Sequence, residues 1–272
     1  MMKFLVIVKK EDSKSLKVAK RVTEFLQKIG INIVCDASTS KDMSLPAEEL
    51  SKTDAELAVV LGGDGTLLWA ESHISGKTIP ILGINLGTMG FLTEVTPDNW
   101  ENALERVLQG RYSVAKLAKI DVSINGEHVG RALNEVVVKT VVPVEMLNIE
   151  IKVDDENVET VRADGIIVST PTGSTAYSMS VGGPIVDNRV RALIITAISP
   201  FKLGARPFVV PDTSKISIKI SGDKHGVVVI DGEFRKEVYP GDVIECTHSK
   251  HQANIIKFEK DFYDKVRRRL RR

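Results

Sequence analysis

Apolar and polar residues alternate in two different ways along the chain, and the pattern changes near residue 112. In the first part, short apolar runs typical of buried parallel strands alternate with helical patterns. The predicted strands are residues 3–8, 31–35, 57–61 and 79–84. Residues 16–29 predict a helix that ends at Gly30, and residues 99–108 predict a second helix. This alternation predicts a parallel sheet with right-handed crossovers.

After residue 112, strand-like runs dominate. They cover residues 120–124, 132–140, 147–153, 165–169, 192–198, 216–220, 227–230 and 243–246. Asn125-Gly126 predicts a two-residue hairpin, and Pro240-Gly241 predicts another turn. Residues 261–270 are again helical in pattern. We therefore predict an α/β N-terminal domain with a parallel sheet (residues 1–112, rejoined by 255–272) and a β-rich C-terminal domain (residues 113–254).

Composition narrows the class of protein. The 272 residues are 43% hydrophobic and 27% charged, with a net charge of +1, so no global field favours nucleic acid or a membrane surface. No apolar run approaches the ~20 residues of a membrane span, and the first nine residues do not resemble a signal peptide. Cys35 and Cys246 lie in apolar runs, which predicts buried thiols and a reducing, cytoplasmic location. The basic residues 265–272 suit either the end of a last helix or an anionic partner, and the helix is favoured.

The sequence Gly62-Gly63-Asp64-Gly65-Thr66 lies between a predicted strand and a predicted helix. A glycine-rich turn there lets backbone N–H groups approach phosphate oxygens, which the helix N-terminus favours. The alternative is a tight turn with Asp64 as the helix N-cap. Neither the P-loop nor the dinucleotide-binding spacing is present. A second glycine-rich segment, residues 83–92, follows the next strand, so both lie at the sheet edge where ligands bind.

Three polar motifs lie in the second domain. Residues 169–180 form a loop rich in Ser and Thr, which predicts either a donor surface for a ligand or a solvated turn. Asn134-Glu135 lies in a predicted strand and offers an amide beside a carboxylate, although taken alone it is typical of an exposed polar pair on a strand. Asp231-Gly232-Glu233 predicts a hairpin turn. His248 and His251 lie in a polar run, so no resident metal site is predicted.

Together these motifs resemble the NAD kinase family, which uses ATP or polyphosphate. The resemblance spans roughly residues 59–233 and rests on segments 62–66, 83–92, 134–135, 164–165 and 170–178. The first motif is shared with diacylglycerol-type lipid kinases, whereas Thr-Pro-Thr-Gly-Ser-Thr-Ala-Tyr-Ser at 170–178 is far more specific. The resemblance implies two domains with a site between them, and a phosphotransferase. The enzyme would phosphorylate the 2′-hydroxyl of the adenosine ribose of NAD to give NADP.

The resemblance also implies roles for individual residues. Asp64 is the catalytic base, and the phosphate-donor loop is Gly62, Gly63, Gly65 and Thr66. The residues that bind NAD are Asp64, Gly65, Phe91, Asn134, Glu135, Arg162, Asp164, Thr175, Ala176, Tyr177, Ser178, Ser180 and Glu233. Arg162 and Asp164 complete the site of a neighbouring subunit, so a homodimer or homotetramer is expected. The chain has no multi-carboxylate cage, so Mg²⁺ would arrive with the donor phosphates.

Two departures from the family pattern leave alternatives. Trp69, Ala70 and Glu71 occupy the region where many relatives carry a basic residue, and Glu233 stands where glutamine is common. The first departure fits a non-catalytic NAD(P)-binding sensor. The shared first motif fits a diacylglycerol-type lipid kinase, although no apolar interfacial helix accompanies it.

Overall fold

The computed structural model describes residues 2–9, 12–74, 78–87, 90–259 and 262–270. Thr88 and Met89 of the second glycine-rich segment, Asp261, and Arg271 and Arg272 of the basic tail lie outside the described residues. The chain forms two compact units. Unit 1 comprises Met1–Lys116 and Ala253–Arg272, and unit 2 comprises Leu117–Gln252.

Unit 1 contains the predicted parallel sheet. Its strands run in the order β2-β1-β3-β4, and Ile255 adds a parallel pairing to Ile81. The strands are β1 (Lys3–Val8), β2 (Asn32–Cys35), β3 (Leu57–Gly62) and β4 (Ile81–Asn85). The helices are α1 (Ser13–Lys28), α2 (Ala37–Met43), α3 (Asp64–His73) and α4 (Trp100–Leu108). Apolar residues of these strands and of α1 and α4 form one buried core.

Unit 2 consists mainly of antiparallel strands. Its first strands are β5 (Ser113–Ile124, which enters unit 2 at Leu117), β6 (Glu127–Ala132), β7 (Glu135–Thr140), β8 (Leu147–Val153), β9 (Glu156–Ala163) and β10 (Gly165–Ser169). After the short helix α5 (Tyr177–Ser180) come β11 (Ala192–Ile198), β12 (Phe208–Pro211), β13 (Ile216–Ser221), β14 (Gly226–Ile230), β15 (Phe234–Val238) and β16 (Val243–Lys257). One sheet has the order β12-β11-β10-β7-β14-β15. In a second group of strands, β13 pairs with both β16 and β8, and β8 pairs with β9. A buried apolar cluster includes residues of both groups.

Two predicted hairpins are confirmed. Asn125 (φ 53°) and Gly126 (φ 81°) join β5 to β6, as a two-residue turn with two left-handed positions requires. Residues 231–233 join β14 to β15, with Ile230 paired to Phe234. The fold class, α/β followed by a β-rich region, is therefore confirmed.

Several predicted elements differ from the structure. The predicted strand 132–140 is broken between β6 and β7, because side-chain contacts described below bend the chain there. The predicted strand 243–246 extends to Lys257, and α2, β9, β12 and β15 were not predicted. The last helix, α6, covers Phe262–Leu270. Its Asp264 pairs with Arg267 and Arg268 within the helix.

The prediction of buried thiols is confirmed. Cys35 and Cys246 are free and buried, and burial raises the pKa of Cys35 to about 11 and that of Cys246 to about 12. Among the described residues, the longest helix is α1, with 16 residues. Within the described part of the chain, none of the helices combines the length and apolar character needed to span a membrane.

Candidate active site

The turn between β3 and α3 carries the first glycine-rich motif. Gly63 is the N-cap of α3, and Asp64 is the first helical residue, so the alternative in which Asp64 is the N-cap is wrong. A Cβ on Gly62 would lie 2.3 Å from Thr66 Oγ1, so only glycine fits beneath the first turn of the helix. Gly65 is exposed, and nothing lies within 4 Å of its Cβ position. The turn is tightly packed at its base and open where an anion would approach.

Four donors hold the Asp64 carboxylate. The Phe91 N–H donates to Oδ2 at 2.7 Å. The Leu92 and Thr93 N–H groups donate to Oδ1 at 3.2 and 2.9 Å, and the Thr93 hydroxyl donates to the same oxygen at 2.9 Å. All four donors belong to the segment that follows β4, so the two predicted glycine-rich segments meet at Asp64. This fixes the carboxylate at the carboxyl ends of the parallel strands.

Gly90 permits this contact. A Cβ at residue 90 would lie 2.0 Å from Asp64 Oδ1, which no side chain tolerates. Behind the same segment, Lys257 donates to the carbonyl oxygens of Phe91 and Leu92 at 3.3 and 3.4 Å, and it lies 3.6 Å from Glu94. Phe91 was predicted from the sequence, whereas Thr93 and Lys257 were not. Thr93 directly follows the recognised motif, whereas Lys257 had no local signal.

In unit 2, Asp231 binds the main chain of the Asn134-Glu135 motif. Its carboxylate accepts the N–H groups of Leu133, Asn134 and Glu135 at 2.6, 2.8 and 2.9 Å. These bonds account for the break between β6 and β7, so Asn134 precedes the strand instead of lying within it. By contrast, Glu233 is exposed in the turn, and its N–H donates to the carbonyl of Ile230. The Asp-Gly-Glu turn therefore reaches the motif through Asp231.

The Ser/Thr-rich loop holds the opposite side of the same segment. The Thr170 N–H donates to the Asn134 carbonyl at 2.9 Å, and the Thr170 hydroxyl donates to the Leu133 carbonyl at 2.6 Å. A Cβ on Gly173 would lie 2.0 Å from the Asn134 carbonyl oxygen. Three motifs that are far apart in sequence are thus in direct contact.

Glu135 has the most perturbed environment of these polar residues. Burial raises the pKa of its carboxyl group to about 8, the negative charge of Asp231 acts in the same direction, and the Tyr177 N–H acts against both. Its Oε2 atom is buried without a hydrogen-bond partner. At neutral pH this group mostly carries its proton, so it can donate as well as accept a hydrogen bond.

Much of the predicted hydroxyl surface is internal, which corrects the expectation of a dense donor surface. Ser174 donates to the Pro171 carbonyl at 2.6 Å, Thr175 donates to the Thr172 carbonyl at 3.1 Å, and the Ser178 and Thr196 hydroxyls lie 3.0 Å apart. These hydroxyls form hydrogen bonds inside the protein, because buried polar groups need hydrogen-bond partners. Tyr177 and Ser180 are exposed, and Ala176 is half-buried.

Tyr177 and Asp164 line a cavity of about 800 Å³ within unit 2. Charged residues from β7 and β15 also line it, namely Lys139, Arg235, Lys236 and Glu237. Arg162 is exposed, with its guanidinium 5.3 Å from the centre of the Phe201 ring. The structure thus brings Tyr177 and Asp164 to one cavity and leaves Arg162 and Glu233 on the surface.

The carboxylates of the described residues do not form a metal cluster. No group of three or more His, Cys, Asp or Glu side chains among them could hold an ion. Both oxygens of Asp64 already accept protein donors. This donor set fits a divalent cation carried by a phosphate ligand, because Mg²⁺ in such sites keeps waters and uses few protein carboxylates.

Comparison with known proteins gives consistent matches. Residues 4–112 match the ATP-NAD kinase N-terminal domain, and residues 133–258 match the ATP-NAD kinase C-terminal domain. An NAD kinase of Methanothermobacter thermautotrophicus is 46% identical over 99% of this chain and 96% of its own length. An NAD kinase of Thermococcus kodakarensis is 39% identical over 99% of both.

Solved structures are similar as well. The crystal structure of an NAD kinase from Archaeoglobus fulgidus in complex with ATP has a TM-score of 0.82 and 30% identity, covering 98% of this chain and 99% of that one. Yeast NADH kinase complexed with NADH has a TM-score of 0.92, covering 99% of this chain and 87% of that one. Its identity is 23%, so that likeness shows the fold alone.

Proposed function

The chain belongs to the NAD kinase family, and on that premise we propose that it transfers the terminal phosphoryl group of ATP to the 2′-hydroxyl of the adenosine ribose of NAD. The product is NADP. The observation that carries the proposal is Asp64, a carboxylate held by four donors at the first turn of a helix behind a glycine-rich turn. Phosphoryl transfer requires such positioning more than it requires covalent chemistry.

Asp64 takes the proton from the attacking ribose hydroxyl. A positioned general base contributes on the order of 100- to 10,000-fold to the rate. Gly62, Gly63, Gly65 and Thr66 form the phosphate-donor loop, whose backbone N–H groups suit phosphate oxygens. Mg²⁺ or another divalent cation binds with the donor phosphates and neutralises their charge. ATP is the proposed donor because the Archaeoglobus relative was crystallised with ATP.

Unit 2 supplies the proposed NAD-binding residues. Asn134 and Glu135 hold the adenosine half, and the described cavity with Asp164 and Tyr177 holds a ring or ribose of the dinucleotide. Arg162, Glu233 and the loop residues Thr175, Ala176, Ser178 and Ser180 complete the proposed set of unit 2. Asp64, Gly65 and Phe91 of unit 1 are also proposed to contact NAD. Since Thr175 and Ser178 are buried, these two act by shaping the loop. NAD is the proposed acceptor, because the relatives in Methanothermobacter and Thermococcus are NAD kinases.

We further propose a cytoplasmic homodimer or homotetramer. Free buried thiols suit a reducing compartment. Arg162 and Asp164 lie at and beside the end of β9, where they would complete a neighbouring subunit's site. The alternatives of a diacylglycerol-type lipid kinase and a non-catalytic sensor are not favoured, since the curated relatives that match over nearly the full chain are NAD kinases.

A coupled assay tests the function. Purified protein is incubated with NAD, ATP and Mg²⁺, and NADP is measured with an NADP-specific dehydrogenase. Parallel reactions replace ATP by polyphosphate, NAD by NADH, or Mg²⁺ by EDTA, and one offers dispersed diacylglycerol. We expect NADP only with a divalent cation. NAD binding without turnover would identify a sensor, and phosphorylation of the lipid alone would identify a lipid kinase.

A further inference from the structure

The chain between β6 and β7 has an unusual backbone geometry. Along a regular strand, successive N–H groups point alternately to opposite sides. Here the N–H groups of Leu133, Asn134 and Glu135 all point to one carboxylate, that of Asp231. Three consecutive N–H groups that converge on one anion require the strand to bend at this point. The bend lies at the motif assigned to the adenosine half of NAD.

The hairpin between β14 and β15 delivers the Asp231 carboxylate. Asp231 has a left-handed backbone (φ 48°), which aspartate adopts more readily than most residues. Its N–H donates to the Glu135 carbonyl at 3.1 Å, and Ile230 pairs with Val136. Asp231 therefore binds the Leu133–Glu135 segment through both its main chain and its side chain.

The other side of the segment is fixed as well. Thr170 binds the carbonyl oxygens of Leu133 and Asn134, and Gly173 lies against the Asn134 carbonyl. The main chain from Leu133 to Glu135 is thus held from two directions. The side chains of Asn134 and Glu135 project from a backbone that cannot turn without breaking these bonds.

We propose that Asp231 is a positioning residue for NAD, which holds the Leu133–Glu135 backbone so that the Asn134 amide and the Glu135 carboxyl group meet the adenosine half of the dinucleotide. The proposal rests on the proposed function. It gives a role to Asp231 of the Asp-Gly-Glu turn, whereas the resemblance in sequence implied that Glu233 binds NAD.

Asp231 also acts on Glu135 through its charge. Burial raises the pKa of the Glu135 carboxyl group first, the Asp231 carboxylate on the β14–β15 turn raises it further, and the Tyr177 N–H from α5 lowers it. Replacing Asp231 by a neutral residue therefore lowers the pKa of Glu135. The pH dependence of NAD binding therefore reports on the contact between Asp231 and Glu135, which Tm alone does not measure.

The experiment compares Asp231→Ala and Asp231→Asn with the wild type and with Asp154→Ala. Asp154 is a matched control, because it also lies at a left-handed turn position (φ 52°) and accepts the Lys215 N–H and the Ser214 hydroxyl. For each protein, KM for NAD, KM for ATP, kcat and Tm are measured. NAD binding is measured by calorimetry, and the dependence of KM for NAD on pH is followed.

We expect Asp231→Ala to raise KM and Kd for NAD about tenfold or more, the scale of losing charge-assisted hydrogen bonds that preorganise a site. KM for ATP should stay within about twofold of the wild-type value. For Asp231→Asn, KM and Kd for NAD should lie between the values of the wild type and of Asp231→Ala, because the amide oxygen can accept only some of the three N–H groups. This substitution should also move the pH dependence of KM for NAD to lower pH. Asp154→Ala should change Tm without changing either KM.

Unchanged NAD affinity in a folded Asp231→Ala protein would overturn the proposal. Equal losses of NAD and ATP affinity, accompanied by a fall in Tm, would also overturn the proposal. If Asp231→Ala does not fold, Asp231→Asn decides, since an unshifted pH dependence contradicts the proposed role. If the wild type makes no NADP, the proposed function fails, while calorimetry with NAD still tests the role of Asp231.

Discussion

At the scale of single residues, the molecule uses two carboxyl groups in opposite surroundings. Asp64 lies at an open turn and accepts four hydrogen bonds, three of them from consecutive backbone N–H groups. Glu135 is buried beside Asp231, with one oxygen that has no hydrogen-bond partner. Surroundings that differ in this way give two carboxyl groups different chemical roles. One suits a fixed proton acceptor, and the other suits a protonated group that recognises a ligand.

Asp64→Asn should lower kcat by at least about 100-fold, because the amide cannot accept the ribose proton. The amide oxygen can still accept from Leu92 and Thr93, so NAD binding should survive, which calorimetry measures. Asp154→Asn is the control, since it makes the same carboxyl-to-amide change at a turn of unit 2, where Asp154 accepts the Lys215 N–H and the Ser214 hydroxyl. A near wild-type rate for Asp64→Asn would show that this residue is not the base.

Glu135→Gln should remove a pH-dependent loss of stability. With its pKa raised from 4.5 to about 8, the native carboxyl group keeps a proton that the unfolded chain releases. The stability from this group is full below about pH 4.5 and is lost as pH rises through about 8. Glutamine does not titrate, so the variant should gain stability relative to wild type from about pH 5 to about pH 9. Chemical denaturation of both proteins at these pH values measures the difference, and parallel pH profiles would contradict the expectation.

At the scale of elements, the local pattern of apolar residues correctly predicted several helices and strands. The alternation of apolar runs and helical spacing predicted β1, β3, β4, α1 and α4, and the rule that parallel strands end at one edge predicted that the two glycine-rich segments are neighbours. Hydrogen bonds from residues 91–93 to Asp64 confirm that neighbourhood.

The elements that were missed depend on contacts distant in sequence. The break after Ala132 is stabilised by Asp231, which lies 96 to 98 residues further along the chain. The strands β9, β12 and β15 carry few buried residues, so their sequences lack a strong alternating pattern. The internal hydroxyls of the loop at 170–178 look like surface residues in sequence, because only the fold supplies their partners.

A side chain at residue 90 should disrupt the contact between Asp64 and the segment that follows β4. Gly90→Ala places a Cβ 2.0 Å from Asp64 Oδ1, so either the carboxylate or the Phe91–Thr93 backbone must shift. A displacement of about 1 Å at a reacting group can cost about 100-fold, and we expect kcat to fall by about that factor. Gly204→Ala is the control, since nothing lies within 4 Å of its Cβ position. Equal kcat in both variants would show that Asp64 does not depend on this packing.

At the scale of the whole molecule, each of the two units has its own buried apolar core, and the charge is nearly balanced at +1. No long-range field is therefore available to concentrate anionic nucleotides, and binding must rely on local groups. In unit 2 those groups include Asp164, whose backbone is fixed by hydrogen bonds to Ile198 and Thr140 and which lines the same cavity as Tyr177. Completion of this cavity by a second copy of the chain is the remaining prediction.

Mixing two inactive variants tests whether Asp164 serves a neighbouring subunit. Asp64→Asn and Asp164→Ala each destroy one function, so each protein alone should be nearly inactive. After subunit exchange at equal amounts, half of the dimers are mixed, and in each of these one site combines an intact Asp64 with an intact Asp164. About a quarter of the wild-type activity should therefore return in a C₂ dimer. Exchange is followed with two different affinity tags. Proven exchange without recovery would show that Asp164 acts within its own subunit or only in the fold, because only residues shared between subunits can complement one another.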